Sequence, residues 1–332
     1  MLKVHLVILS LVFIASSLFP FELSQKKQNE ATAIIGEVIN CEFQTAFKMI
    51  DSLRGVDFKD PLYPTLKLMT LGLRNLDFDR PIDTTLFMKT FHESNEAVER
   101  YRKTHNRDSY SLTLEGFIKA SYASYRIYHG KYFSAIDEGT DAVDLLEEAI
   151  EIDTTNTDAY FFLGFYSYAR GELRKKMWML LFWYPGNRKA GKDMLEKCSQ
   201  TAKISSIPSK MMLADIYREL KMYDEAKELI DGLLIKYPKS RFMMWARARL
   251  NSTLGKYSES AAAYGWLSDS YETVSFGEYN ALVTRETQLE MLDKAGEKML
   301  ASKIAQETID KKLGGSSKDT EKILKKIRRY IK

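Results

Sequence analysis

Apolar residues recur at spacings of three and four along almost the whole chain, and runs of strict alternation are rare. That periodicity predicts helices rather than strands. Polar and helix-breaking residues divide the pattern into pairs. Residues 33–39 and 43–53 form the first, closed by Asp60 and Pro61. Residues 63–76 and 83–104 follow, separated by Pro81 and Asp83 as stop and start signals. In the second of these, Phe87, Phe91, Val98 and Tyr101 make an apolar stripe. Residues 112–129 and 132–152 are joined at Gly130, and the latter helix overruns a standard repeat unit by about one to two turns. A further first helix, 157–171, ends at Gly171, but its partner at 188–198 arrives late, after an intervening segment. Residues 276–292 and 294–313 are the last pair. Beyond Gly314 and Gly315, residues 318–332 form one helix on Ile323, Leu324, Ile327 and Ile331.

The most regular hairpin spans 207–240. Ala214 and Ala226 are small enough for antiparallel helices to cross closely. Tyr217, Ile230 and Leu233 fill the space beside that crossing, and Pro238 stops the second helix. A shift of about 34 residues lands on Ala248, Asn251, Ser260, Tyr264 and Leu267, with Gly255 and Tyr257 at the turn. Asn251 is the departure among the large positions. Ala46, Ile50 and Leu53 keep the same offsets, Leu163 and Gly164 take the large-then-small pair, and Ala123, Gly130 and Ala135 carry the turn. This pattern resembles the tetratricopeptide repeat (TPR), most clearly over 116–170 and 188–272.

The resemblance implies an all-α, right-handed superhelical solenoid of antiparallel helix pairs, in which each unit contacts its neighbours. It also implies a non-catalytic scaffold that holds a protein or peptide. The expected organisation is divergent N-terminal hairpins over 31–110, a TPR-like solenoid over 111–313 with an inserted aromatic helix at 172–187, and a capping helix over 314–332. In such a stack the first helix of each unit lines the concave surface. The alignment places Ala120, Ser124 and Ile127 there, then Phe161, Phe165 and Tyr168, then Met211, Asp215 and Arg218, then Trp245, Arg249 and Ser252. An aromatic floor with arginines suits a peptide partner, since aromatics and Arg dominate binding hot spots. The competing reading has some of these residues packed internally. The lysine and asparagine clamp of chaperone-binding TPR domains is missing at these positions.

The insertion holds eight unbroken apolar residues, Met177 to Tyr184, flanked by Arg174, Lys175 and Lys176 and by Arg188 and Lys189. As a helix it would be about 12 Å long, too short to cross a bilayer. Two readings stand: an interfacial foot using Trp178, Phe182, Trp183 and Tyr184 at headgroup depth, or a helix buried all round.

At the N-terminus, Lys3, an apolar run from Leu6 to Ile14 and the small residues Ala15, Ser16 and Ser17 form the pattern of an export signal. Residues 1–23 therefore read as a signal peptide or an uncleaved membrane anchor, with 24–30 as a linker, and the expected location is the periplasm or cell envelope. The remaining composition narrows the chemistry. A formal charge of +4 on 332 residues gives no electrostatic case for nucleic acid. Lys- and Arg-rich residues of the C-terminal helix read as a solvated face or an acidic-partner contact. Cys41 and Cys198 each lie in helix-like sequence and read as buried free thiols rather than a bridge. No phosphate loop or nucleophile motif is present, so neither catalysis nor a cofactor is expected. His92, Glu93 and Glu96 give half of a zinc helix whose second histidine is replaced. Asp77, Asp79 and Asp83 lack the glycine and glutamate of a calcium loop and read as turn sequence.

Overall fold

A computed structural model of the chain describes residues 23–57, 59–176, 186–311 and 317–331. Every regular element among them is helical: α1 (Gln25–Ile39), α2 (Phe43–Val56), α3 (Leu62–Phe78), α4 (Thr84–His105), α5 (Ser109–Tyr128), α6 (Tyr132–Ile152), α7 (Tyr160–Lys176) and α8 (Arg188–Thr201). The series continues with α9 (Ser206–Glu219), α10 (Tyr223–Lys236), α11 (Arg241–Thr253), α12 (Tyr257–Glu272), α13 (Glu278–Lys294), α14 (Lys298–Asp310) and α15 (Lys318–Arg328). Neighbouring helices pack on one another, among them α5 with α6, α7 with α8, α11 with α12 and α12 with α13. The small positions do what the pattern demands of them: Ala214, Ala226, Ala248 and Ser260 are fully buried, and the Ser260 hydroxyl donates to the Ala248 carbonyl at 2.8 Å. A side chain of any size there would hold α11 and α12 apart.

The helices fall into two compact units. The first comprises residues up to 35, 43–72 and 83–209. Its core is built from Phe117, Ala142, Leu146, Ala159, Phe162 and Leu163, on α5, α6, the short 3-10 helix Thr157–Ala159 and the start of α7. Each large member contributes about 1.5–3 kcal/mol through burial. In the α7–α8 hairpin a Cβ at Gly164 would stand 2.8 Å from the Gly191 carbonyl oxygen, and one at Gly191 would stand 2.6 Å from that of Gly164. Only paired glycines let the two backbones approach so closely. Buried Asp158 then accepts from the backbone N–H groups of Ile204 at 2.9 Å and Ser205 at 2.6 Å, fixing the entry to α9.

The second unit comprises residues 36–42, 73–82 and 210–332. Two short N-terminal segments thus pack among helices far downstream. The Tyr271 hydroxyl donates to the Asp77 carbonyl at 2.8 Å, and Arg80 Nη2 donates to the Phe276 carbonyl at 2.6 Å, pairs 194 and 196 positions apart. Contacts within this unit therefore reach beyond neighbouring helix pairs. Helical periodicity tells which face is buried, not which segment covers it. At the other end of the chain α15 lies on α13 and α14, with Thr320 and Ile327 buried and its lysines outward.

Several boundaries differ from expectation, each for a local reason. Residues 24–30 are not a linker but open α1: Lys27 pairs with Asp57 and buried Asp60, and Leu23 is itself buried. Helix α7 does not end at Gly171 but runs to Lys176. Gly171 instead makes room for α8, since a Cβ there would meet the Arg188 backbone nitrogen at 2.9 Å. Helix α5 begins three residues early because Asp108 caps it, accepting from Ser111 N at 2.8 Å. Cys41 lies past the end of α1 with φ of 60°, in a turn and not in a helix. The export or anchor segment and the Trp178, Phe182, Trp183 and Tyr184 stretch lie outside the described residues.

Candidate partner-binding face

Helix α11 starts at buried Ser240, whose hydroxyl accepts from Met243 N at 3.3 Å. Its buried stripe carries Met243, Ala246 and Leu250. Trp245 and Arg249, four residues apart, share a neighbouring face that is only partly covered. On α9 the same relation brings Asp215 and Arg218 together, three apart. The two faces meet at Asp215. Arg249 Nε donates to Asp215 Oδ1 at 3.1 Å while its Nη2 reaches Oδ2, and Arg218 Nε donates to Oδ1 at 3.3 Å. One carboxylate therefore serves two guanidinium groups, and Glu219 stands 3.7 Å from Arg218 Nη2 as a second acidic neighbour.

An aromatic floor supports the cluster. The Arg249 guanidinium lies 6.0 Å from the Trp245 ring centroid. Trp245 Nε1 donates to the Tyr271 hydroxyl at 3.2 Å, and its ring stands edge-on to Tyr264 at 5.5 Å and 82°. Desolvation, reinforced by Glu290 against the opposing pull of Arg249, raises the Tyr264 phenol above its ordinary value. It is a neutral apolar surface at working pH. Met211, Asp215, Arg218, Trp245 and Arg249 are all partly exposed, so the second unit assembles its share of the predicted residues on adjoining helices.

The first unit treats its share differently. Phe161 is partly buried against the core cluster, and Phe165 is exposed beside Phe162 at a centroid separation of 6.2 Å. Tyr168 is buried; its hydroxyl accepts from Arg188 Nη2 at 3.1 Å, and the guanidinium carbon lies 5.3 Å from its ring centroid. It supports the α7–α8 hairpin from inside. Ala120 packs on the core, while Ser124 and Ile127 are exposed.

Other candidates resolve into structural partnerships. Glu93 of the half-motif accepts from Arg54 Nη1 at 2.7 Å. Asp83 caps α4, accepting from Leu86 N at 2.8 Å. Among the described residues no cluster of His, Cys, Asp and Glu is arranged to hold a metal. Cys41 and Cys198 are free thiols, and burial pushes each up to about 12. Sequence reasoning missed two features. One is the buried Asp77–Arg241–Tyr271 cluster, since nothing in the local pattern links positions so far apart. The other is an exposed apolar tip around the α5–α6 turn, where Ile127, Tyr132, Phe133 and Ile136 face solvent and Phe133 is 88% exposed. Its signal was present: consecutive Tyr132 and Phe133 cannot both lie on one buried stripe.

No protein-family model and no curated protein matches the chain. Solved structures do. The C-terminal part of a TPR repeat-containing protein from Cytophaga hutchinsonii is 15% identical, with 89% of this chain and 99% of that chain covered and a TM-score of 0.44. Yeast Tom70 is 12% identical, with coverages of 80% and 56% and a TM-score of 0.43. The human IFIT1 dimer with PPP-AAAA is 12% identical, with coverages of 86% and 68% and a TM-score of 0.46.

Proposed function

We propose that the chain is a non-catalytic scaffold and that the α9–α11 face of its second unit receives a peptide segment of a protein partner in the cell envelope or periplasm. The observation that carries this reading is the Arg218–Asp215–Arg249 cluster over Trp245. Two partly exposed guanidinium groups share the Asp215 carboxylate, and Arg218 has Glu219 beside it as well, so an incoming acidic side chain gains a partner at Arg249 without stranding a buried charge. Trp245 offers an adjacent apolar platform, and arginine with tryptophan is the pairing most enriched at binding hot spots. The fitting segment is acidic with at least one apolar or aromatic residue. The envelope location rests on the N-terminal sequence pattern.

A pulldown with the full chain as bait, repeated with Trp245→Ala and Arg249→Glu, tests the assignment. The captured partner should be lost with Arg249→Glu and weakened with Trp245→Ala, whereas capture undiminished by both places the contact elsewhere. A second reading, attachment to a membrane surface, is favoured by the apolar tip at Ile127, Tyr132, Phe133 and Ile136. No helix among the described residues is long and apolar enough to cross a membrane. Liposome flotation with Phe133→Ser tests that reading, which fails if the substitution leaves flotation unchanged.

A further inference from the structure

Helix α15 has its charges sorted by face. Its inner side is formed by buried Thr320 and Ile327, with Ile323, Leu324 and Ile331 half-buried around them. On the opposite side Lys318, Lys322, Lys325 and Arg329 follow one another at spacings of four, three and four, and all are exposed. That row is about 16 Å long and contains no carboxylate. The flanks are mixed. Lys322 donates to Asp319 at 2.9 Å, Lys326 stands 3.4 Å from Glu286 of α13, and Glu321 borders the row. Among the described residues no ion pair forms at Lys318, Lys325, Arg328 or Arg329. The basic surface ends at Tyr330, which has Glu286, Glu290, Asp293 and Lys294 around it.

Two exposed aromatic side chains belong to the same region of the second unit. Helix α15 packs on α13, whose first turn carries exposed Tyr279. The Lys322 ammonium interacts with Asp319 and, next, with the Tyr279 phenol. Three residues earlier Phe276 is 60% exposed, with φ of 68°, a conformation that a bulky side chain rarely adopts. Arg80 secures that turn: its Nη2 donates to the Phe276 carbonyl at 2.6 Å, and its guanidinium carbon lies 5.9 Å from the ring centroid. Gly277 permits it, since a Cβ there would collide with the Tyr271 carbonyl oxygen. The fold thus fixes this ring in water. Glu278 lies between the two aromatics, so the six cations of α15 face Asp319, Glu321, Glu286 and Glu278, and the excess sits on the outermost row.

We infer that the outward row of α15, with Tyr279 and Phe276 of the adjoining turn, is a docking surface for an anionic lipid bilayer. Charge selects an anionic partner, and shape selects among anions. The row is a ridge that projects away from α13 and α14, whereas single-stranded nucleic acids and helical peptides are held in grooves. A flat bilayer meets all four basic heads at once, and its anionic lipids gather beneath them. The aromatic pair supplies the headgroup-depth contact that charge alone lacks. The N-terminal sequence pattern, that of a segment directed to a membrane, brings such a surface within reach. The ridge shares no residue with the α9–α11 face or with the apolar tip of the first unit, so each of the three assignments can fail alone.

Co-sedimentation of the full chain with vesicles of phosphatidylcholine, and of phosphatidylcholine with equal phosphatidylglycerol, tests the inference. Each basic residue near an anionic surface is worth about fivefold in affinity, so phosphatidylglycerol should strengthen binding about tenfold or more at low salt. High salt should remove that gain. Lys318→Gln, Lys325→Gln and Arg329→Gln together, at exposed positions without ion pairs, should abolish it, and Phe276→Ser should reduce it several-fold. Acylation of lysines, read by mass spectrometry, locates the contact however strongly other segments hold the chain. Lys318, Lys322 and Lys325 should be shielded by the phosphatidylglycerol vesicles and left open by phosphatidylcholine alone. No gain from phosphatidylglycerol, a gain untouched by the triple variant or by Phe276→Ser, or unshielded ridge lysines would each overturn the proposal. So would tighter binding to a DNA duplex or to poly-glutamate than to the anionic vesicles.

Discussion

The second unit contains the same chemical group twice, an arginine forked onto an aspartate beside aromatic rings, in two different environments. Arg241 and Asp77 have side chains 4% and 1% exposed, while those of Arg249 and Asp215 are 36% and 34% exposed. At the first site Arg241 Nε donates to Asp77 Oδ1 at 3.0 Å and to Oδ2 at 3.1 Å, with Nη2 on Oδ2 as well. The Tyr271 hydroxyl adds a bond to Asp77 Oδ1 at 3.0 Å, and the guanidinium lies 4.9 Å from the Tyr271 ring centroid. Neither charge can rehydrate, so the pair holds residues 73–82 among the downstream helices. At the second site both groups reach water, and the pair is free to exchange partners. Burial, not bond geometry, separates the structural tie from the surface proposed for recognition.

The comparison breaks most readily at Asp77. Asp77→Ala strands a buried guanidinium and should destabilise the unit by about 3–5 kcal/mol. Urea denaturation followed by far-ultraviolet circular dichroism measures it. Replacing both partners, with Asp77→Leu and Arg241→Met, should recover most of that loss, because no charge is then left uncompensated. A double variant as unstable as the single one would mean that shape, and not charge, makes the tie.

Alkaline pH probes the same buried region without mutation. Burial pushes the Cys41 thiol, which also senses Asp77, from 9.0 to about 12. Below pH 9 both folded and unfolded chains keep the proton. Between 9 and 12 the unfolded chain loses it first, so stability falls as pH rises, by up to about 1.4 kcal/mol per pH unit for one such thiol. Cys198 behaves alike in the first unit. The gap between urea midpoints at pH 8 and pH 10 should narrow but not close in a Cys41→Ala, Cys198→Ala variant, because burial also raises phenols such as Tyr110 and Tyr271, which ionise first in the unfolded chain. Next in size is Tyr271→Phe, which removes the hydroxyl that donates to Asp77 and accepts from Trp245 Nε1. The expected loss is about 1–2 kcal/mol by the same denaturation assay, and a neutral result would mean that Asp77 is satisfied by Arg241 alone.

The contrast also marks what could be read from sequence. The hairpins were legible because Ala214, Ala226, Ala248 and Ser260 stand at fixed offsets, and the crossing they make is local in the chain. Trp245, Arg249 and Asp215 were legible as a face because the repeat offset aligns α9 with α11, although their mutual bonds were not. Asp77 read as turn sequence because its polarity matches a helix end, and its partners lie 164 and 194 residues away. Residues 24–30 read as a linker for a related reason. A run of polar side chains gives no sign that one of them, Lys27, meets a buried carboxylate 33 residues on.

The smallest change tests the other half of the comparison. Asp215→Asn removes the carboxylate shared by Arg218 and Arg249, yet both guanidinium groups remain in contact with water. The expected loss of stability is under about 1 kcal/mol. Binding should move the other way. With their internal partner neutralised, the arginines offer more positive charge to an acidic segment, so association with the captured partner should speed up and become more sensitive to salt. Surface plasmon resonance of that partner at two ionic strengths, beside the urea midpoint, reads both quantities on one variant. A loss of 3–5 kcal/mol, about that expected of Asp77→Ala, would show that this pair too is a structural tie. An unchanged association rate with unchanged stability would leave the α9–α11 face with no part in recognition.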